Sequence, residues 1–156
     1  LKKPLQSSNI NMIDLNVNIT GNVEENLALA LSDLASMKQL KGFEMSWNDL
    51  PIETQMFDGP KAFMAFLKNK PKLEYFSFRH KSLDWVKLTP VYKAFSNLQY
   101  LQRLKLDLYS QDWDHADIES FCAGIGKLTR LVSIDIFFNG FPKNPTDIPL
   151  EMANLF

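Results

Sequence analysis

The stretch that decides the fold is Leu40-Lys41-Gly42-Phe43-Glu44-Met45-Ser46-Trp47-Asn48-Asp49-Leu50. Apolar residues occupy its positions one, four, six and eleven, and an Asn occupies position nine. The same frame begins again at Ile10, Leu73, Leu101 and Leu131, at intervals of 28 to 33 residues. Self-similarity at a period of this length predicts a solenoid of stacked repeats that covers nearly the whole chain.

Each copy of the frame begins with a strand and continues into a helix. Apolar residues at positions four and six flank a mostly polar residue, and this alternation is typical of a half-buried strand. Apolar residues at helical spacing then predict helices near residues 23–38, 60–70, 90–98 and 115–128, and a fifth from about 146. Strand–helix–strand units form parallel sheets through right-handed crossovers, so the sequence predicts an α/β fold with five parallel strands.

The faces of these helices are rich in Phe, as at Phe63, Phe66, Phe95 and Phe121. A row of aromatic side chains could line a cofactor site, but helical spacing opposite apolar strands favours the filling of a core. We therefore predict no cofactor.

Composition narrows the classes of function. The chain has 156 residues, 46% of them apolar, and reads as a single domain over residues 1–156. A net charge of −1 and only three arginines argue against nucleic acid as a partner. The lone Cys122 allows no internal disulfide, which favours an intracellular location, cytoplasmic or cytoskeletal. No apolar run is long enough to span a membrane.

The pattern L-x-x-L-x-L-x-x-N-x-L resembles the leucine-rich repeat family, and the period near 30 residues is most similar to its ribonuclease-inhibitor-like subclass. The resemblance extends over residues from about 10 to 156. It implies a curved horseshoe segment, with the parallel sheet on the concave face and helices on the convex face. It also implies a structural Asn ladder at position nine, formed by Asn18, Asn48 and Asn139.

The third and fourth copies depart from this ladder, with Lys81 and Tyr109 at position nine. We expect those two turns to be stabilised differently and the solenoid to be locally irregular there. Neither end carries a polar cap of the kind that keeps a repeat stack soluble, and the chain stops on Leu155-Phe156. The chain is therefore predicted to be a fragment, or a subunit whose ends another subunit covers.

Several motifs resemble modification, metal or phosphate sites only superficially. Asn18-Ile19-Thr20 is a glycosylation sequon, but Asn18 stands at the structural Asn position. The acidic residues and the His within 111–117 could hold a hard cation, yet their spacing fits no calcium loop and capping of a helix start explains them. Residues 124–127 resemble part of a phosphate loop but lie inside a helix.

The sequence does not bring together a set of residues that could form a catalytic site. The only histidines, His80 and His115, fall in different repeats, and Cys122 lies within a helix where a small core side chain is expected. We therefore predict that the chain is not an enzyme and holds no metal.

The outward strand residues are more informative. Stacked strands bring equivalent positions about 4.8 Å apart, so positions five, seven and eight form lateral rows. Position eight combines large apolar and aromatic residues, which is typical of protein interfaces, although this position could equally extend the core. The predicted protein-binding residues of this concave face are Trp47, Arg79, His80, Lys105, Asp107, Phe137 and Phe138.

Three hypotheses of function follow. The first is a non-catalytic scaffold or adaptor within a larger intracellular assembly, binding protein partners through the strand face or the open ends. The second is a leucine-rich-repeat regulator that activates a GTPase, although none of the arginines falls on a loop that could reach a transferred phosphate. The third is the substrate-recognition module of a longer ligase or receptor protein.

Overall fold

A computed structural model describes residues 11–18, 23–48, 59–81, 89–109 and 115–139. The described residues form five strands and four helices that alternate along the chain. The strands are β1 (Met12–Asn18), β2 (Gly42–Asn48), β3 (Tyr75–Lys81), β4 (Arg103–Tyr109) and β5 (Ser133–Asn139). The helices are α1 (Val23–Ser36), α2 (Gly59–Lys68), α3 (Thr89–Phe95) and α4 (His115–Ile125). The fifth predicted helix lies outside the described residues.

The strands form one sheet in the order β1-β2-β3-β4-β5, and every neighbouring pair is parallel. Each strand begins two residues after the start of its frame and spans seven residues. The prediction of an α/β fold with five parallel strands is therefore confirmed.

The register pairs residues of the same frame position across the sheet. At position four, for example, Ile13 pairs with Phe43, Phe43 with Phe76, and Phe76 with Leu104. Lys81 and Tyr109 pair with each other as the last residues of their strands. Lys81 does not pair with Asn48, however, so the β2–β3 pairing ends one position earlier than the other three pairings. The departure at Lys81 thus coincides with a local irregularity, whereas the pairing at Tyr109 is regular on both sides.

One hydrogen-bond arrangement recurs wherever a helix leads into the next strand. The backbone carbonyl at position two accepts N–H groups from positions two and three of the following copy. Lys41 and Gly42 donate to Asn11 O at 2.8 Å each, and Gln102 and Arg103 donate to Glu74 O at 2.8 and 3.1 Å. Lys41 O and Gln102 O accept two N–H groups in the same way. These paired bonds set the register at the start of every strand after β1.

The buried apolar side chains of the described residues form one cluster between the sheet and the helices. Phe63 of α2 is central to it, with its ring centroid 5.0 Å from that of Phe78 and 5.9 Å from that of Phe76. Phe66 lies 4.5 Å from Phe43 by the same measure. The Phe-rich helix faces therefore pack against the inward faces of the strands, as the helical spacing predicts.

Burial of this core decreases toward the edges of the sheet. The inward residues of β2, β3 and β4 are buried, but Ile13 and Leu15 of β1 are only partly buried, as are Ile134 and Ile136 of β5. Each inner strand has a neighbouring strand on both sides, whereas β1 and β5 each have a neighbour on one side only. The inward side chains of these two edge strands therefore retain accessible apolar surface.

Gly124 of α4 marks a close approach between two helices. A Cβ atom at this position would stand 2.3 Å from the backbone oxygen of Tyr92 in α3. No ordinary carbon–oxygen contact is that short, and a backbone oxygen cannot rotate out of the way. The Gly therefore serves helix packing, and this supports our rejection of a phosphate loop at residues 124–127.

We predict that Gly124→Ala lowers the free energy of unfolding by about 1–3 kcal/mol, because α3 and α4 must separate to admit the methyl group. In an unhindered helix the same change is stabilising by up to about 1 kcal/mol, so the sign is diagnostic. Urea denaturation would measure the difference. Gly126→Ala is the milder comparison, since its Cβ would stand 3.2 Å from Cys122 O, which a shift of a few tenths of an ångström relieves, so its cost should be smaller than that of Gly124→Ala. Equal stability of the two variants would contradict the close packing of α3 and α4.

Candidate functional site

The sheet face opposite the helices carries rows of polar side chains. Alternation along each strand directs positions five and seven away from the core. The position-five row is Asp14, Glu44, Ser77, Lys105 and Asp135, and the position-seven row is Ser46, Arg79, Asp107 and Phe137. Asn16 stands at the same register on β1, but its side chain is outside the described residues. The register brings each row together in the order that the repeat frame predicts, and we call this surface the outward sheet face.

An ion pair occupies the centre of the outward sheet face. Arg79 Nε donates to Asp107 Oδ2 at 2.9 Å, and the Arg79 side chain remains half exposed while Asp107 is mostly covered. The second carboxylate oxygen, Asp107 Oδ1, is buried and has no hydrogen-bond partner among the described residues. An exposed pair of this kind contributes at most about 1 kcal/mol to stability, so its main effect is to hold the guanidinium in place.

Phe137 lies beside this ion pair on β5, where it pairs in register with Asp107. Its side chain is 55% exposed, although it is one of the largest apolar groups of the chain. Arg and aromatic residues are the types most enriched among protein-binding hot spots, and Arg79 and Phe137 stand at position seven of β3 and β5, on either side of Asp107. Lys105 is also exposed and lies one row away.

A second polar contact lies on the β2–β3 half of the outward sheet face. Tyr75 Oη donates to Glu44 Oε1 at 2.5 Å. Burial raises the pKa of Tyr75 above its usual value, and the hydrogen bond to Glu44 adds to this shift. The phenol therefore stays protonated and tethers the Glu44 carboxylate, which pairs in register with Asp14 of β1.

The remaining predicted binding residues lie on the strands, but their side chains are outside the described residues. At position eight, Trp47 pairs with His80, His80 with Leu108, and Leu108 with Phe138. Leu108 is 1% exposed, so in β4 this position extends the core instead of the outward sheet face. The side chains of the predicted Asn ladder, Asn18, Asn48 and Asn139, are likewise outside the described residues.

Only part of the acidic segment at the start of α4 belongs to the described residues. Residues 111–114 lie outside the described residues, whereas Asp117 is buried and accepts a hydrogen bond from Thr89 Oγ1 at the start of α3. Burial raises the pKa of the neighbouring Tyr92 well above its usual value, and the charge of Asp117 adds to the shift. Within the described ranges, no three His, Cys, Asp or Glu side chains are grouped so that they could hold a metal ion.

Lys70 is a buried charge that the sequence analysis did not identify. It is 5% exposed, and its Nζ donates to the backbone oxygen of Met37 in the preceding turn. The equivalent positions of the other copies, three residues before each frame, hold Met37, Leu98 and Leu128, all buried. An alignment of the copies at this position would have identified Lys70, because it is the one polar residue among buried apolar ones.

The chain resembles no known protein closely enough to be placed by comparison. No protein-family model, curated protein or solved structure matches it. Within the described ranges, none of the helices has the length and apolar character that a membrane crossing requires. The function must therefore be inferred from the geometry of the residues.

We predict that Lys70→Met raises the free energy of unfolding at pH 7 by about 1 kcal/mol or more, because a buried charge is replaced by an apolar group of similar length. The carbonyl of Met37 keeps a partner, since it also accepts the Leu40 N–H at 3.3 Å. Lys72→Met, at an exposed site nearby, is the control and should change stability little.

The stability gained by Lys70→Met should depend on pH. Burial lowers the pKa of Lys70 below its usual value of 10.5, so between the two values the unfolded chain binds more protons than the folded one. The stability of the wild-type protein should therefore gain a contribution as the pH rises through that window toward 10.5. The advantage of Lys70→Met should shrink there, and an advantage that is the same at pH 7 and pH 10 would contradict the burial of a charged amine.

Proposed function

We propose that the chain is a leucine-rich-repeat solenoid of the ribonuclease-inhibitor-like type that acts as a non-catalytic protein-binding scaffold in a larger intracellular assembly. The observation that carries the proposal is the outward sheet face, on which the Arg79–Asp107 ion pair is followed, on the next strand, by the half-exposed Phe137. In-register rows from five strands supply a broad surface, and broad surfaces suit protein partners better than small molecules.

Recurrence in the backbone supports the solenoid part of the proposal. The frame, the parallel register and the doubly accepting carbonyl each recur along the sheet. A repeat stack of this kind exposes one face of its sheet along its whole length. The proposed Asn ladder at position nine would satisfy backbone groups at the ends of β1, β2 and β5, the three strands that carry the Asn.

We predict that Asn48→Leu lowers the free energy of unfolding by about 1–3 kcal/mol, because the turn amides of neighbouring repeats lose a buried partner. Asn11→Leu provides the comparison, since Asn11 is exposed at the start of β1. Thermal or urea denaturation of the two variants would measure the difference. An unchanged unfolding midpoint for Asn48→Leu would remove the Asn ladder from the proposal.

We predict that Arg79→Ala and Phe137→Ala each weaken the binding of a protein partner by about 1–2 kcal/mol or more, because truncation removes an Arg or aromatic anchor. Two variants on the helices are matched controls: Lys93→Ala for the loss of a charge, and Leu29→Ala for the loss of an exposed apolar side chain. All four residues are at least partly exposed, so circular dichroism should show an unchanged fold.

Quantitative affinity capture with mass spectrometry from native extracts would test the proposal with the wild-type chain and the four variants in parallel. The proposed partner is a protein whose recovery falls for both sheet variants and for neither helix variant. If every captured protein responds instead to the helix variants, the binding surface lies on the helices and the proposal for the outward sheet face is wrong.

A further inference from the structure

The turns that lead from each helix into the next strand form a second surface, distinct from the outward sheet face. These turns are residues 37–41, 69–74, 96–102 and 126–132. Because the strands are parallel, all four turns lie along the side of the sheet at which the strands begin. The carbonyls that accept two N–H groups join the turns there. Tyr100 N also donates to Pro71 O at 3.3 Å, which links the second and third turns directly.

Basic residues greatly outnumber acidic residues in these four turns. The four turns contain six basic residues and one acidic residue, Glu74, although the chain as a whole has a net charge of −1. Lys70 is the buried one of the six. We call the five exposed residues the basic turn edge, and they are Lys38, Lys41, Lys72, Lys127 and Arg130.

Little within the described residues neutralises this charge. Lys41 Nζ lies 2.8 Å from Glu74 Oε1, so the one acidic side chain of the turns is already paired. No described acidic side chain forms an ion pair with Lys38, Lys72, Lys127 or Arg130. The basic turn edge therefore keeps an uncompensated positive potential.

Complementing the helix dipoles accounts for only part of this charge, since Lys38 and Lys127 alone lie within two residues of a helix end. Such complementarity places cations in the last turn of a helix, but the last turns of α1 and α4 contain no basic residue. Lys41, Lys72 and Arg130 lie four or five residues beyond the ends of their helices. The effect of a helix terminus falls off within about one turn, so these residues need another explanation.

An aromatic platform accompanies the charges. The Arg130 guanidinium carbon lies 4.6 Å from the centroid of the Tyr100 ring, which holds the guanidinium in a cation–π contact. Tyr100 is 44% exposed, and Val132, just after Arg130, is 85% exposed. The edge thus offers a preoriented fork for a carboxylate beside accessible apolar surface.

We propose that the basic turn edge binds an extended acidic segment of a partner protein. Neighbouring strands lie about 4.8 Å apart, so four turns span about 15 Å, the length of about five residues of extended chain. Carboxylates of the segment meet Lys72, Lys127 and Arg130, and an apolar residue lies against Tyr100 and Val132. Charge complementarity identifies the partner as acidic, and the apolar surface favours a peptide over a nucleic acid.

Nucleic acid fits this surface less well. Recognition of phosphates and bases relies on clustered arginines and on successive aromatic rings for stacking. The basic turn edge has one arginine, and Tyr100 is its one exposed aromatic ring in the four turns. A single-stranded oligonucleotide therefore serves as the competing probe.

Fluorescence anisotropy at low ionic strength would test the proposal with a labelled peptide of six glutamates and two leucines. Its glutamine counterpart and an oligothymidylate of the same length are the comparison probes. We expect the acidic peptide to bind more tightly than both. Lys72→Glu and Arg130→Glu should each weaken binding about tenfold or more, and added salt should weaken it further.

Lys93→Glu is the matched control, because it makes the same change of charge at an exposed position of α3, outside both proposed binding surfaces, and should alter the affinity less than about twofold. Circular dichroism would verify each fold, and Lys72→Gln and Arg130→Gln would replace any variant that unfolds. The proposal is overturned if the glutamine peptide binds as tightly, if Lys93→Glu weakens binding as much as the edge variants, or if the oligonucleotide binds more tightly.

Discussion

The structure depends on one backbone interaction, the carbonyl at position two that accepts N–H groups from two consecutive residues of the next copy. This pair of bonds forms at all four places where a helix leads into a strand, and it sets the register of the strand that follows. A slip of one residue would exchange the two faces of a strand, so each paired bond decides which side chains enter the core. Asn11, Lys41, Glu74 and Gln102 supply these carbonyls, and their different side chains show that the backbone carries the interaction.

Two surfaces with different chemistry follow from this register. Positions four and six place Phe43, Phe76 and Phe78 against the helices, where aromatic rings fill a dry core. Positions five and seven place Arg79, Asp107 and Phe137 on the uncovered side. Because the strands are parallel, the same register also gathers the four helix-to-strand turns at one edge and concentrates their lysines there. The core, the outward sheet face and the basic turn edge are thus three consequences of one repeating geometry.

Much of this was predictable from spacing alone. Leu40 and its equivalents mark the strands, and the helical spacing of Phe63, Phe66 and Phe121 identifies the inward faces, because both signals are local. What the sequence analysis missed depends on contacts between copies. A lysine at a helix end, such as Lys70, is usually solvated, and only the position of Met37 O makes its burial possible. Gly124 likewise requires the path of α3, and Asp107 and Phe137 differ in exposure although both stand at position seven of their copies.

Inter-strand nuclear Overhauser effects between backbone protons of β3 and β4 in isotope-labelled protein test the repeating register most directly. The account predicts cross-peaks that place Ser77 beside Lys105 and Arg79 beside Asp107 in a parallel arrangement. An antiparallel pattern, or a register shifted by one residue, would contradict it, because Arg79 and Asp107 would then no longer pair in the register described.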